Sequence, residues 1–252
     1  MSKLLFKAKL KAAGLHAGLT TLVAILTAAL VFGLWYPDAL SSMVAGVSLF
    51  MIVMAVEVVL GPSMSLVIYN PEKDKAELVR DYTLVGLVQV GALFYGLYTV
   101  SISRPVYLVF VKDRIEVVSA VEYAQKDLDE AGLDWQSLPW FGPELICTEI
   151  PDDPEEKSDL VLFGSFGKDI QLFPKYYREC KDGEIAERMF TKKQWQLNEQ
   201  VGLEVFPKDI REGDFGWLPI VTRFGAWTAV YPNKSLEEVQ YFDENPFFAD
   251  AQ

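Results

Sequence analysis

The sequence has one histidine, two cysteines and no phosphate-binding glycine loop, and each shortage removes a class of chemistry. With His16 alone, neither an HExxH motif nor a paired-histidine zinc site can be built, and two cysteines without histidine partners argue against zinc. There is no CxxC motif and no P-loop or Rossmann glycine pattern. Gly164-Ser165-Phe166-Gly167 falls one residue short of G-x-S-x-G spacing. No histidine lies beyond residue 103 to activate its serine. Carboxylate pairs such as Asp152-Asp153 and Glu155-Glu156 read as a solvated charged face rather than as an acid–base pair. The chain is therefore expected not to be an enzyme and to carry neither metal nor cofactor.

Basic charge is scarce where it would matter for nucleic acid. Residues 104–252 hold sixteen Lys and Arg against twenty-nine Asp and Glu, a net charge of −13 within a chain of −12. Phosphates would be repelled, so nucleic acid is excluded as a partner. Residues 1–103 are close to neutral and hold the excess of apolar residues, with the charge at the edges of long uncharged runs.

Three such runs are present: 12–37, 41–70 interrupted once, and 82–103. Each is long enough to cross a bilayer. The first exceeds the usual h-region of a signal peptide and lacks a convincing small-x-small site after it, so it reads as a retained anchor. Its lone His16, at the basic end, reads as an interfacial residue. The interruption in the second run is Glu57, followed by Gly61-Pro62. A charged side chain near mid-bilayer costs roughly 2.5 to 3.5 kcal/mol on insertion scales unless it is protonated or partnered. Pro62 leaves the Val58 carbonyl without its intrahelical donor, and Gly61 gives another helix close access to the backbone. Two readings stand at this point. Glu57, Gly61 and Pro62 form a docking notch for another transmembrane helix or part of a proton path, or Glu57 pairs with Gln89 of the third span inside the protein's own bundle.

Basic residues set the orientation. Lys3, Lys7, Lys9, Lys11 and the loop carrying Lys73, Lys75 and Arg80 are expected on the cytoplasmic side, whereas the first loop has none. Three spans then export residues 104–252. Trp35, Tyr36, Tyr95 and Tyr98 would share the outer interface, and Tyr69 and Tyr82 the inner one. In an oxidising compartment the pair Cys147 and Cys180 invites a disulfide, the alternative being two buried thiols.

The exported part opens on a β-hairpin, residues 106–111 and 115–118 around Lys112-Asp113-Arg114. Ser119-Ala120-Val121-Glu122 has capping-box spacing and predicts a helix to about Ala131, stopped by Gly132. Asp153-Pro154-Glu155-Glu156 predicts another helix start, with a charged helix over 182–198. A second hairpin is expected from residues 217–231 and 237–242 around Pro232-Asn233-Lys234-Ser235. The fold class is membrane-anchored α+β: a three-helix transmembrane anchor over 1–103 and a mixed α+β periplasmic domain over 104–252.

Ala55-Val56-Glu57-Val58-Val59-Leu60-Gly61-Pro62 resembles the G-V-D-x-V-L-G-P element of the TfpX/TfpZ family of type IV pilin accessory proteins. Residues 104–110, Arg-Pro-Val-Tyr-Leu-Val-Phe, and 113–118, Asp-Arg-Ile-Glu-Val-Val, are similar to that family's R-P-V-Y-L-V-F and D-R-F-E-V-V. The likeness covers about the first 120 residues, with Ala55 and Glu57 where the family has glycine and aspartate. It implies a multi-pass inner-membrane protein that assists the stability or assembly of a cognate type IV pilin, with other pilus assembly components as further partners. Pilins carry a long apolar N-terminal helix with an acid near a free amino terminus, which would lie in the same bilayer. Glu57, Gly61, Pro62 and Gln89 are then the candidate pilin-helix binding residues. A membrane-tethered sensor or receptor is the alternative, and lacks a signalling domain on the cytoplasmic side.

Overall fold

The computed structural model describes residues 3–37, 39–196 and 202–247, which fall into two compact units, Met1–Ser103 and Arg104–Gln252. The first unit is helical. α1 spans Lys3–Leu30 and widens into a π-helical turn over Val31–Trp35. A short α2, Leu40–Met43, precedes α3, Gly46–Ile68, and α4, Lys75–Ile102. Together with its π turn, α1 is long and apolar enough to cross a membrane, as are α3 and α4.

The second apolar run is thus split. Ala45 takes a left-handed conformation, φ 56°, between α2 and α3, so the long helix begins five residues later than the run does. Pro62 lies inside α3 without ending it, and the helix continues to Ile68. The carbonyls of Leu66 and Val67, orphaned at its C-terminus, accept from Lys9 Nζ at 2.9 and 3.2 Å, where a cation also suits the helix dipole. α1 and α4 each pack along α3, antiparallel to it, and make little contact with one another. Tyr36 faces the bundle rather than its surroundings: it is buried against Gly46 and its hydroxyl donates to the Val100 carbonyl at 2.8 Å.

The second unit is a mixed sheet with short helices. β1, Pro105–Val111, and β2, Arg114–Ser119, form the expected hairpin, closed by Lys112 at φ 56°. The capping box forms, with the Ser119 amide donating to Glu122 Oε1 at 2.8 Å, but it caps only a 3-10 turn over Ala120–Glu122. The chain then extends at Tyr123 and Ala124 before α5, Gln125–Asp129, because the Tyr123 ring is drawn against Tyr107 and Tyr177. β3, Glu144–Thr148, is followed by α6, Pro154–Gly164, whose N-cap Asp153 accepts from the amides of Glu155 and Glu156 at 2.8 and 3.1 Å. After β4, Tyr177–Arg178, the expected charged helix is instead α7, Glu184–Arg188, the two-residue β5, Phe190–Thr191, and α8, Lys192–Gln196; residues 197–201 lie outside the described residues. β5 takes two residues from that helix because Phe190 stacks on Trp217, 4.7 Å between centroids. α9, Lys208–Glu212, leads to β6, Phe215–Thr222, β7, Gly225–Pro232, and β8, Gln240–Phe242. The run 217–231 is therefore two strands folded at Arg223-Phe224, and the 232–235 turn carries the chain toward β8, antiparallel to β7.

The strand order is β4-β3-β1-β2-β6-β7-β8, with β5 beside β6; β1 runs parallel to β3, and β2 to β6. Tyr107, Val109, Val118, Ile146, Ile170 and Tyr177 centre one core, and Trp195, Phe206, Phe215, Trp217 and Val230 another. Buried hydroxyls in the first are satisfied in series: Tyr123 meets Tyr177 at 2.5 Å, and Tyr177 donates to the Gln171 carbonyl. Cys147 in β3 and Cys180, just past β4, are joined by a disulfide with 5.0 Å between Cα atoms. Beside it Arg178 holds Glu184 by two hydrogen bonds, 2.9 and 2.6 Å.

Candidate functional site

Along α3, Phe50, Met54, Glu57, Gly61 and Ser65 are buried, at the three- and four-residue spacing of one helix face. Glu57 is only 8% exposed, an acid in the seam of an apolar bundle. From α4, Gln89 reaches the same level; from α1, so does His16. His16 Nε2 lies 2.9 Å from Gln89 Oε1, and His16 Nδ1 lies 2.6 Å from the buried Ser65 hydroxyl. A carboxamide oxygen can only accept, so Nε2 donates; in the neutral ring Nδ1 then accepts from Ser65. This orientation turns the Gln89 Nε2 toward Glu57, where it completes no hydrogen bond of good geometry among the described residues. His16, Ser65, Gln89 and Glu57 thus form one polar cluster joining α1, α3 and α4.

Gly61 makes that cluster possible. A Cβ there would run into Gln89 Nε2 and come within 2.9 Å of His16 Nε2. The notch expected from Gly61-Pro62 therefore exists, and the protein's own polar side chains fill it. Pro62 is half-buried one position on. Open space lies on either side of Glu57 and Gln89. One cavity of about 520 Å³ separates α1 from α4 and is lined by Leu15, His16, Leu19, Glu57, Gln89 and Leu93 among others. A second, of about 500 Å³, lies between α3 and α4 and meets Val56, Glu57, Gly61, Val85, Val88 and Gln89. Both are apolar grooves with a carboxyl and a carboxamide at one level.

His16 and Ser65 belong to the cluster and were not singled out as site residues by sequence reasoning. The stripe Glu57, Gly61, Ser65 at intervals of four could have pointed to Ser65. His16 carried no such signal, since its partners come from 49 and 73 positions away. No group of metal-ligating side chains occurs among the described residues.

The chain thus carries a three-helix apolar bundle with a buried acid in its first unit and a disulfide-bridged mixed sheet in its second. Residues 5–45 match the family described as fimbrial assembly protein FimB. A fimbrial assembly protein of serogroup I from Dichelobacter nodosus is 32% identical over 97% of this chain and 95% of its own length. Its serogroup E1 counterpart is 30% identical over the same shares. A third, of serogroups C1 and C2, is 32% identical over 52% of this chain and all of its own length. No solved structure matches. The chain belongs to the fimbrial assembly protein family, in line with the resemblance to type IV pilin accessory proteins.

Proposed function

We propose that residues 1–103 are a three-span anchor in the bacterial inner membrane, with a cytoplasmic N-terminus, and that residues 104–252 are a periplasmic domain. In this reading the protein is a non-catalytic accessory factor that assists the stability or assembly of its cognate pilin. The pilin's apolar helix docks in a groove beside Glu57 and Gln89, and its globular head meets the acidic periplasmic domain. The fimbrial assembly names of the relatives support the process. The three long apolar helices and the lysines at 3, 7, 9 and 11 support the topology.

One observation carries the groove: Glu57, buried at 8% exposure, lines both cavities, so a helix in either meets a carboxyl. A carboxyl retained at that depth is a functional residue by default. Replacing Glu57 with leucine is expected to abolish copurification of pilin from detergent while the protein itself accumulates normally. Undiminished recovery of pilin would overturn the groove. Gln89→Leu is the companion: if it unfolds the bundle while Glu57→Leu leaves pilin bound, the polar cluster serves only the protein's own packing.

A further inference from the structure

Arg104 opens the second unit two residues beyond Ile102, the last residue of α4. Two residues of chain reach no farther than about 7 Å, so whatever Arg104 holds is carried at the end of that helix. Arg104 is buried; its Nη2 donates to the Pro139 carbonyl at 3.0 Å, and its guanidinium lies 4.8 Å from the centroid of the Trp140 indole. Yet Trp140 is 62% exposed and the adjacent Phe141 72%. Leu138 packs on the core around Tyr107, whereas Trp140 and Phe141 join neither core of their unit. The loop turns outward after Leu138 and presents two large aromatic side chains to its surroundings.

We propose that residues 139–141 are a membrane-interface anchor: Trp140 and Phe141 enter the headgroup and upper acyl region of the bilayer that α4 crosses. The proposal rests on the three-span reading above. Lipid is the occupant because the loop is tied, through Arg104, to the end of a spanning helix. The pair also has the chemistry of that level: an indole is an apolar body with one N–H donor, the composition that concentrates tryptophan at membrane–water boundaries. The cation stacked on it fixes its position rather than leaving it to rotate. Anchoring at a second point stops the unit from swivelling about a two-residue link, so that it meets a membrane-held partner in one orientation.

The test uses the full chain in vesicles of phosphatidylethanolamine and phosphatidylglycerol. The native cysteines are bridged, so an introduced cysteine takes a spin label alone. Labels at Phe141→Cys, Asn233→Cys and Leu60→Cys are compared for collision with oxygen, which partitions into lipid, and with an aqueous nickel chelate. The label at 141 is expected to lose most of its collision with nickel while keeping that with oxygen, as the label at 60 does; the label at 233 should remain open to nickel. If 141 behaves like 233 while 60 stays in lipid, the anchor is overturned and the spans stand. If 60 is also open to nickel, the span reading falls and takes the anchor with it. Shielding of 141 from both reagents would place protein over the loop and overturn lipid as its occupant.

Discussion

His16 Nε2 and Gln89 Oε1 lie 2.9 Å apart although 73 positions separate them in the chain, and the contact passes over Gly61. α1 and α4 make little direct contact, so this hydrogen bond, with the His16 ring 6.5 Å from that of Tyr82, is one of the few links between them. It also fixes which end of the Gln89 carboxamide faces Glu57.

Gly61 is the position where that arrangement is least tolerant. Gly61→Ala places a methyl group on Gln89 Nε2 and against His16, and overpacking of this kind costs about 1–3 kcal/mol. Gly91→Ala meets nothing within 4 Å, so it should be neutral or gain up to about 1 kcal/mol from helix propensity. Thermal unfolding in detergent compares the two. Equal tolerance would mean that the polar cluster does not close over Gly61.

The disulfide should matter to the second unit alone. Cys147→Ala with Cys180→Ala releases a loop 33 residues long, worth about 3.7 kcal/mol on the chain-entropy account. Hydrogen exchange is expected to accelerate in β3 and β4 and to stay unchanged in α1, α3 and α4, which belong to the other unit. Equal protection of β3 and β4 in the native protein and the double variant would contradict this.

Two carboxyls give the second unit opposite pH slopes. Arg178 holds Glu184 down to about 2 from 4.5, so its stabilisation is complete above 4.5 and is lost as pH falls toward 2. Burial pushes Glu116 up to about 7 from 4.5, with Asp169 and Glu122 adding to the rise and Arg114 opposing it. Its contribution is complete below 4.5 and is lost as pH rises through about 7. Glu184→Gln should flatten the acid limb of a stability–pH curve read from β4 amides, and Glu116→Gln the neutral limb read from β2. A single variant that removes both limbs would show that the assignments are wrong.

Much of the local structure was legible in the residues. The Lys112-Asp113 turn, the Ser119–Glu122 capping box and the Asp153 cap are each set by neighbours within a few positions, and all three form. The helix over 182–198 was misread because Phe190 finds Trp217, a partner that periodicity cannot reveal. The run 217–231 was misread for a related reason: its fold at Arg223-Phe224 carries neither proline nor an Asn-Gly pair.

By itself the sequence determined three long apolar stretches with one acid among them, because length and composition alone decide how much chain can leave water. It also supplied the caps and the first hairpin, whose forces act within one turn. Only the tertiary structure decided that His16 turns to meet Ser65 and Gln89, that Tyr36 is buried, and that the space beside Gly61 is filled from within. A polar group among apolar helices takes whichever partner the packing brings within hydrogen-bonding distance, and that geometry exists only after α1, α3 and α4 have come together.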